Sequence, residues 1–115
     1  MVNPPQSKSL VIKSFEWKDL DILLGLENQL RTTDLEAAPI TKSLLMEQLR
    51  QPNLDIERDL LLCLVDNQLK ATGLICHEPR IDRAILDIKG TNEFLTSKFI
   101  NDLLATALEK ARILE

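Results

Sequence analysis

Leu60-Leu61-Leu62-Cys63-Leu64-Val65-Asp66-Asn67-Gln68-Leu69-Lys70-Ala71-Thr72-Gly73-Leu74-Ile75-Cys76-His77 is the stretch whose reading decides the fold. An unbroken apolar run, a polar Asp66-Asn67-Gln68 break and a second apolar-rich run have the form of two antiparallel strands joined by a tight turn. The first run shows no polar alternation, which predicts a central strand covered on both faces. Such a strand needs a layer above it and a layer below it, and the flanking sequence has to supply both.

Upstream, Leu10-Val11-Ile12-Lys13-Ser14-Phe15 reads as a first strand over about 10–15. Leu20, Leu23, Leu24, Glu27 and Leu30 then recur at three- and four-residue steps, which predicts an amphipathic helix over about 17–31. Residues 32–39 lack periodicity and read as a loop. Thr41 can cap a second helix over about 42–51, with Leu44, Leu45 and Leu49 as its stripe before Pro52. Asn53 to Asp59 is polar and reads as irregular. Downstream, Glu78-Pro79-Arg80 breaks the second hairpin strand, so the hairpin is expected at about 60–66 and 69–77. Arg83 to Lys89 gives a further strand, with Ala84, Leu86 and Ile88 on one face and Ile85 and Asp87 on the other. Gly90-Thr91-Asn92 stops that strand and offers a cap. Phe99, Leu103, Leu104, Ala107, Leu108 and Ala111 then mark one long helix over about 94–113.

Composition narrows the function classes. With 115 residues, 44% hydrophobic and 28% charged, the chain makes one packed domain over 10–115, preceded by a loose arm at 1–9. The formal charge is −4 and the pI about 5.0, and no stretch concentrates Lys and Arg with aromatic residues, so nucleic acid is disfavoured as a partner. The longest apolar run, Leu60 to Val65, falls far short of the roughly 18 residues that span a bilayer, so no membrane partner is expected. The polar, proline-containing start lacks the apolar stretch of a secretory signal, which makes a cytoplasmic protein the simplest expectation. Cys63 and Cys76 stand alone in apolar surroundings, without the spacing of a zinc or redox site, and read as reduced core thiols. No metal is expected.

Strand, helix, helix, a three-stranded meander and a long helix resemble the first part of the GNAT superfamily, the acetyl-CoA-dependent N-acyltransferases. The local marks are the Leu10-Val11-Ile12-Lys13-Ser14-Phe15 opening before Trp17-Lys18-Asp19-Leu20, the hairpin with Gly73 where the family pattern places its glycine, and the final helix from Leu103-Leu104 to Ala111-Arg112. The resemblance implies an α+β sandwich with a mixed sheet in the order β-α-α-β-β-β-α, incomplete at its C-terminal side. It implies acetyl-CoA as cofactor and a small-molecule or peptide amine as acceptor in the intact protein. Two departures accompany it. The family's pyrophosphate loop reads Arg or Gln, x, x, Gly, x, Gly or Ala, because glycines let backbone N–H groups approach phosphate oxygens at a helix start. Here Gly90-Thr91-Asn92-Glu93-Phe94-Leu95-Thr96-Ser97-Lys98 has no glycine after position 90, and Glu93 would repel a phosphate. The family core also continues through further strands, and many members use a tyrosine there as general acid, whereas this sequence has no Tyr.

Acyl transfer to an amine needs a base and a site that polarises the thioester carbonyl. Asp87 is the candidate base, lying late in the strand that resembles the one against which the family lays the thioester. A rim carboxylate paired with Lys89 or Arg83 is the plainer reading of the same residue. By the same resemblance Ile88 would offer backbone groups to the pantetheine arm, and Thr96, Ser97 and Lys98 would contact phosphate, with a solvated helix start carrying capping hydroxyls as the plainer reading of the last three. His77 is the only histidine, either a base or a strand-end surface residue. Trp17 reads as a staple at the strand–helix corner. Asp34 and Glu36 fall where family members often close over the acceptor, and their acidity would suit an amine, with a solvated loop as the default reading.

Two functions follow from different classes. One is a segment of a GNAT-like N-acyltransferase, weak or inactive alone because of its substituted loop. The other is a non-catalytic GNAT-like module with a structural, regulatory or dimerisation role. An incomplete sheet leaves the strand at 83–89 as an edge, to be covered by a second copy or by a C-terminal domain of the same protein. A homodimer is expected in solution, and a monomeric mass by light scattering at high protein concentration would count against it.

Overall fold

In the computed structural model, which describes residues 9–32, 38–52, 54–78 and 83–113, the hairpin closes through Asp66 and Asn67, with φ of 51° and 67°. Val65 faces Gln68, so the loop has the left-handed pair of a type I′ turn, a conformation that Asn and Asp tolerate best after glycine. The turn is one residue tighter than the sequence reading expects, giving β2 Leu60–Val65 and β3 Gln68–Glu78. Asp66 also anchors the start of β1, accepting from the Ser9 N–H at 3.0 Å and donating its own N–H to the Ser9 carbonyl at 2.9 Å. Beyond the turn Cys63 pairs with Ala71 while Leu64 pairs with Leu69, which leaves Lys70 as a bulge in β3.

β1 Leu10–Ser14 flanks β2, and β4 Arg83–Gly90 flanks β3, in the sheet order β1-β2-β3-β4. The sequence reading expects a mixed sheet. The described strands instead form three antiparallel pairs, as direct β2–β3 and β3–β4 connections require. The α+β sandwich itself is as expected. α1 Leu20–Arg31 and α2 Lys42–Leu49 cover one face, where Leu60 and Leu62 pack with Leu23, Leu45 and Leu49. α5 Phe99–Ile113 covers the other, where Leu61, Cys63 and Ile75 pack with Leu103 and Ala107. Burial pushes the Cys63 thiol up to about 12, so it stays protonated in the core.

Three local departures have physical causes. The first helix opens with a 3₁₀ turn at Trp17–Asp19, where Asp19 Oδ2 accepts the Glu16 N–H at 3.1 Å and lies 2.9 Å from Lys13 Nζ. Trp17 staples this corner as expected, edge-on to Phe15 at 5.3 Å and under the Arg50 guanidinium at 5.2 Å. A one-turn helix, α3 Ile56–Asp59, stands in the stretch read as irregular, anchored by buried Ile56 and Asp59. The long helix expected over 94–113 is interrupted: α4 Asn92–Leu95 is capped by Thr91 Oγ1 and ends at Thr96. Ser97 Oγ then accepts the Phe99 N–H at 3.2 Å and starts α5 afresh.

Two glycines set how closely these layers approach. A Cβ on Gly73 would lie 3.1 Å from Leu103 Cδ1, so its absence seats the fully buried Leu103 against the sheet. A Cβ on Gly90 would come within 2.7 Å of Ala71 Cβ and 3.2 Å of the Lys70 carbonyl, so backbone must shift to admit it. Gly90→Ala is therefore expected to lower the unfolding free energy by about 1–3 kcal/mol, and Leu103→Ala by about 2–5 kcal/mol. Urea unfolding checks both, and an unchanged midpoint for Gly90→Ala would show that the contact is relaxed.

Candidate functional site

Strand parity divides β4 between two environments. Leu86 and Ile88 pack toward the α5 cluster, whereas Asp87 and Lys89 project to the face carrying α1 and α2. There they border a cavity of about 130 Å³, enclosed by Leu23, Leu45, Leu49, Ile56 and Leu74. Asp87 makes no ion pair among the described residues. Lys89, the partner the sequence reading considers for Asp87, instead reaches across the cavity mouth to Glu27 on α1, Nζ to Oε1 at 3.8 Å. Glu27 is mostly buried, its side chain 16% exposed, while Lys89 stays half in solvent. Thr72, on β3 opposite Lys89, also lines the cavity and is 5% exposed. Its hydroxyl has no hydrogen-bond partner among the described residues.

Glu27 and Thr72 are the lining residues that sequence reasoning missed as site residues. Glu27 carries a legible signal, since it is the one carboxylate on the Leu20, Leu23, Leu24 and Leu30 stripe and so must point toward the sheet. Thr72 gives no comparable signal, because threonine is at home in any strand.

The residues expected to hold phosphate lie elsewhere and are engaged elsewhere. Thr96 Oγ1 donates to the Asn92 carbonyl and Ser97 Oγ to the Phe94 carbonyl, both at 2.7 Å, and Lys98 is exposed between α4 and α5. Ser97 borders a larger cleft of about 410 Å³ beside the β2–β3 turn, where Lys70 is set among the carboxylates of Asp66 and Glu93. Neither hydroxyl is free to replace a glycine loop, and Gly90, the glycine nearest this junction, is occupied by its contact with Ala71. The residues present therefore do not form a seat for the pyrophosphate of acetyl-CoA. Ile88 is half-buried on the α5 face, away from the Asp87 cavity. Asp34 and Glu36 lie outside the described residues.

His77 stands at the other end of β3, with Nε2 3.6 Å from Oδ1 of Asp59. Asp59 is 2% exposed and held by the Arg58 guanidinium through Nε at 2.8 Å and Nη2 at 3.1 Å. The grouping satisfies a buried carboxylate where β2 begins, and it is separate from the Asp87 cavity. Among the described residues no cluster of His, Cys, Asp and Glu suits a metal ion, and no helix is long and apolar enough to cross a membrane.

No protein-family model matches the sequence, and no curated protein matches it. Solved structures do match. A GNAT family acetyltransferase of Staphylococcus aureus superposes with a TM-score of 0.60 at 21% identity, over 92% of this chain and 80% of that one. An acetyltransferase of the GNAT family from Streptococcus pneumoniae gives 0.62 at 20% identity, over 91% of this chain and 68% of that one. A possible acetyltransferase of Clostridium difficile gives 0.57 at 16% identity, over 87% of this chain and 69% of that one. The fold is GNAT-like.

The Asp59 grouping gives a stability test that leaves the cavity intact. Arg58→Leu removes both bonds from the guanidinium to a buried carboxylate, and is expected to lower the urea midpoint at pH 7. A cost within error of zero would mean that His77 and solvent hold Asp59 unaided.

Proposed function

We propose that this GNAT-like chain is the acceptor-binding unit of an acetyl-CoA-dependent N-acyltransferase, with Asp87 receiving the proton of the acceptor amine. The observation that carries this reading is Asp87 at the mouth of an apolar cavity between β4 and the α1–α2 layer, unpaired while Lys89 is engaged with Glu27. An ammonium ion meets two carboxylates and one lysine there, so the local charge favours its entry. An amine is a nucleophile only when neutral. The proton leaves nitrogen for an Asp87 carboxylate oxygen, directly or through one water, and the nitrogen lone pair then becomes available to an acyl carbon. The apolar walls exclude competing water from the bound amine.

On its own the chain binds acetyl-CoA weakly and transfers no acyl group. The support for this is the substituted 90–98 segment, whose hydroxyls serve backbone carbonyls and whose glycine abuts Ala71. The same segment favours the second reading, a GNAT-like module with a structural, regulatory or dimerisation role. A second copy, or a further domain of the same protein, paired along β4 would cover the sheet edge and the exposed Leu104 and Leu108 of α5.

Each missing amide bond to a charged oxygen forfeits about 1.5–3 kcal/mol, so the loss of two weakens binding by roughly two to four orders of magnitude. Calorimetric titration with acetyl-CoA is expected to give a dissociation constant well above the micromolar range. Micromolar or tighter binding that disappears in Lys98→Ala would overturn the weak-binding reading and make Lys98 the substitute for the glycine loop.

A further inference from the structure

We infer that the cavity between β4 and the α1–α2 layer selects a primary amine carrying an aliphatic group of about four or five carbons, with Thr72 and Glu27 as its specificity determinants. The use of that amine as an acyl acceptor rests on the function proposed above. Its binding does not, because every group invoked is already placed in the structure.

Size comes first. A volume of about 130 Å³ equals that of roughly four waters, and a dry cavity of about 150 Å³ lined by aliphatic side chains accommodates a benzene ring. Leu23, Leu45, Leu49 and Ile56 are all at most 9% exposed, so much of the wall is core side chain that offers no hydrogen bonds to water, with Gln48 of α2 as a polar exception. Water gains little in such a space, whereas each methylene moved into it strengthens binding about fourfold.

Polarity comes second, and apart from Gln48 on α2 it gathers around Lys89. Thr72 and Lys89 are cross-strand partners, Asp87 is two residues from Lys89 on the same face of β4, and Glu27 faces Lys89 from α1. Thr72 is 5% exposed as a residue, and its hydroxyl, still within reach of water, makes no bond among the described residues, which leaves an oxygen able to accept an N–H from a molecule in the cavity. The Glu27–Lys89 pair, at 3.8 Å, is loose, so Glu27 can turn one oxygen to a bound ammonium without leaving Lys89. Two acceptors on the sheet, Thr72 and Asp87, and one on α1, Glu27, match in number the three donors of a primary ammonium, and the apolar remainder matches its carbon chain. An alcohol of the same shape would lack the charge, and a short amine would lack the carbon.

The test is a methyl-detected NMR titration of the full chain with 3-methylbutylamine, without acetyl-CoA, alongside ethylamine and 3-methylbutan-1-ol as probes. Saturable shifts are expected at the leucine and isoleucine methyls of the cavity. Ethylamine, with three fewer carbons, should bind weaker by about tenfold or more, and the alcohol by about tenfold. Thr72→Val and Glu27→Gln should each weaken the amine by about three- to tenfold while the spectra stay dispersed as in the parent. Equal binding of amine and alcohol, or of long and short amines, would overturn the inference, as would absence of saturable shifts or unchanged affinity in both variants. Selective amine binding supports this inference whether or not acetyl-CoA binds, because weak acetyl-CoA binding is what the function proposed above expects of the chain alone. Micromolar acetyl-CoA binding without amine selectivity would overturn this inference and leave the acyltransfer reading standing.

Discussion

Leu62 and Cys63 are neighbours in sequence and face opposite ways, yet both are fully buried. A strand in that position cannot shift by one residue without exchanging its two faces, so its register is specified twice, once by each layer. The helix pair meets Leu60 and Leu62, and α5 meets Leu61 and Cys63. The type I′ turn at Asp66-Asn67 then transmits the register of β2 to β3, and the bulge at Lys70 adjusts it once. What β3 presents to β4 follows from that adjustment: Thr72 opposite Lys89, Gly73 opposite Ile88, and Ala71 opposite Gly90.

The same register explains why the two halves of an acyltransfer site are unequally developed. On the α1–α2 face the Thr72–Lys89 row leaves room, and Asp87 borders a cavity. At the end of β4 the Ala71–Gly90 row closes the space, because the methyl of Ala71 already fills what the glycine leaves open. A glycine helps a phosphate only when its missing side chain faces the ligand. Past Gly90, the hydroxyls that the family resemblance would offer to phosphate are drawn into ending α4 and starting α5. An interrupted helix needs its own caps, and Thr96 and Ser97 meet that need.

Much of the fold was legible from periodicity, because it rests on apolar runs and helical stripes that each demand a partner layer. The 3₁₀ turn at Trp17 and the one-turn α3 were not, since elements of three or four residues are too short to show a period. The break at Thr96 was hidden because Phe94 and Phe99, on opposite sides of it, both pack toward the α5-face core, so the stripe looked continuous. For the site, strand parity separated Asp87 from Leu86 and Ile88, and the stripe of α1 held Glu27 in view without marking it. The pairing of Lys89 with Glu27 in place of Asp87 is a tertiary fact, set by where α1 crosses the sheet. The proximity of His77 to Asp59 likewise depends on the hairpin register, which brings residues far apart in sequence to 3.6 Å.

Thr72 bears most directly on whether the cavity is a site or a packing flaw. Its hydroxyl makes no bond among the described residues yet stays within reach of water, so it carries no full desolvation cost, while valine, of nearly the same shape, would suit a central strand at least as well. Stability alone therefore does not require threonine between Leu62 and Lys89. Glu27 repeats the pattern: a carboxylate 16% exposed on a leucine stripe, held by a single lysine at 3.8 Å, is a weak source of stability and a costly one to bury. Random packing defects in a leucine-rich layer leave apolar voids. Two polar groups that stability does not require, Thr72 on the sheet and Glu27 on α1, border the same cavity beside a carboxylate without an ion partner among the described residues, a pattern that a bound cation would match.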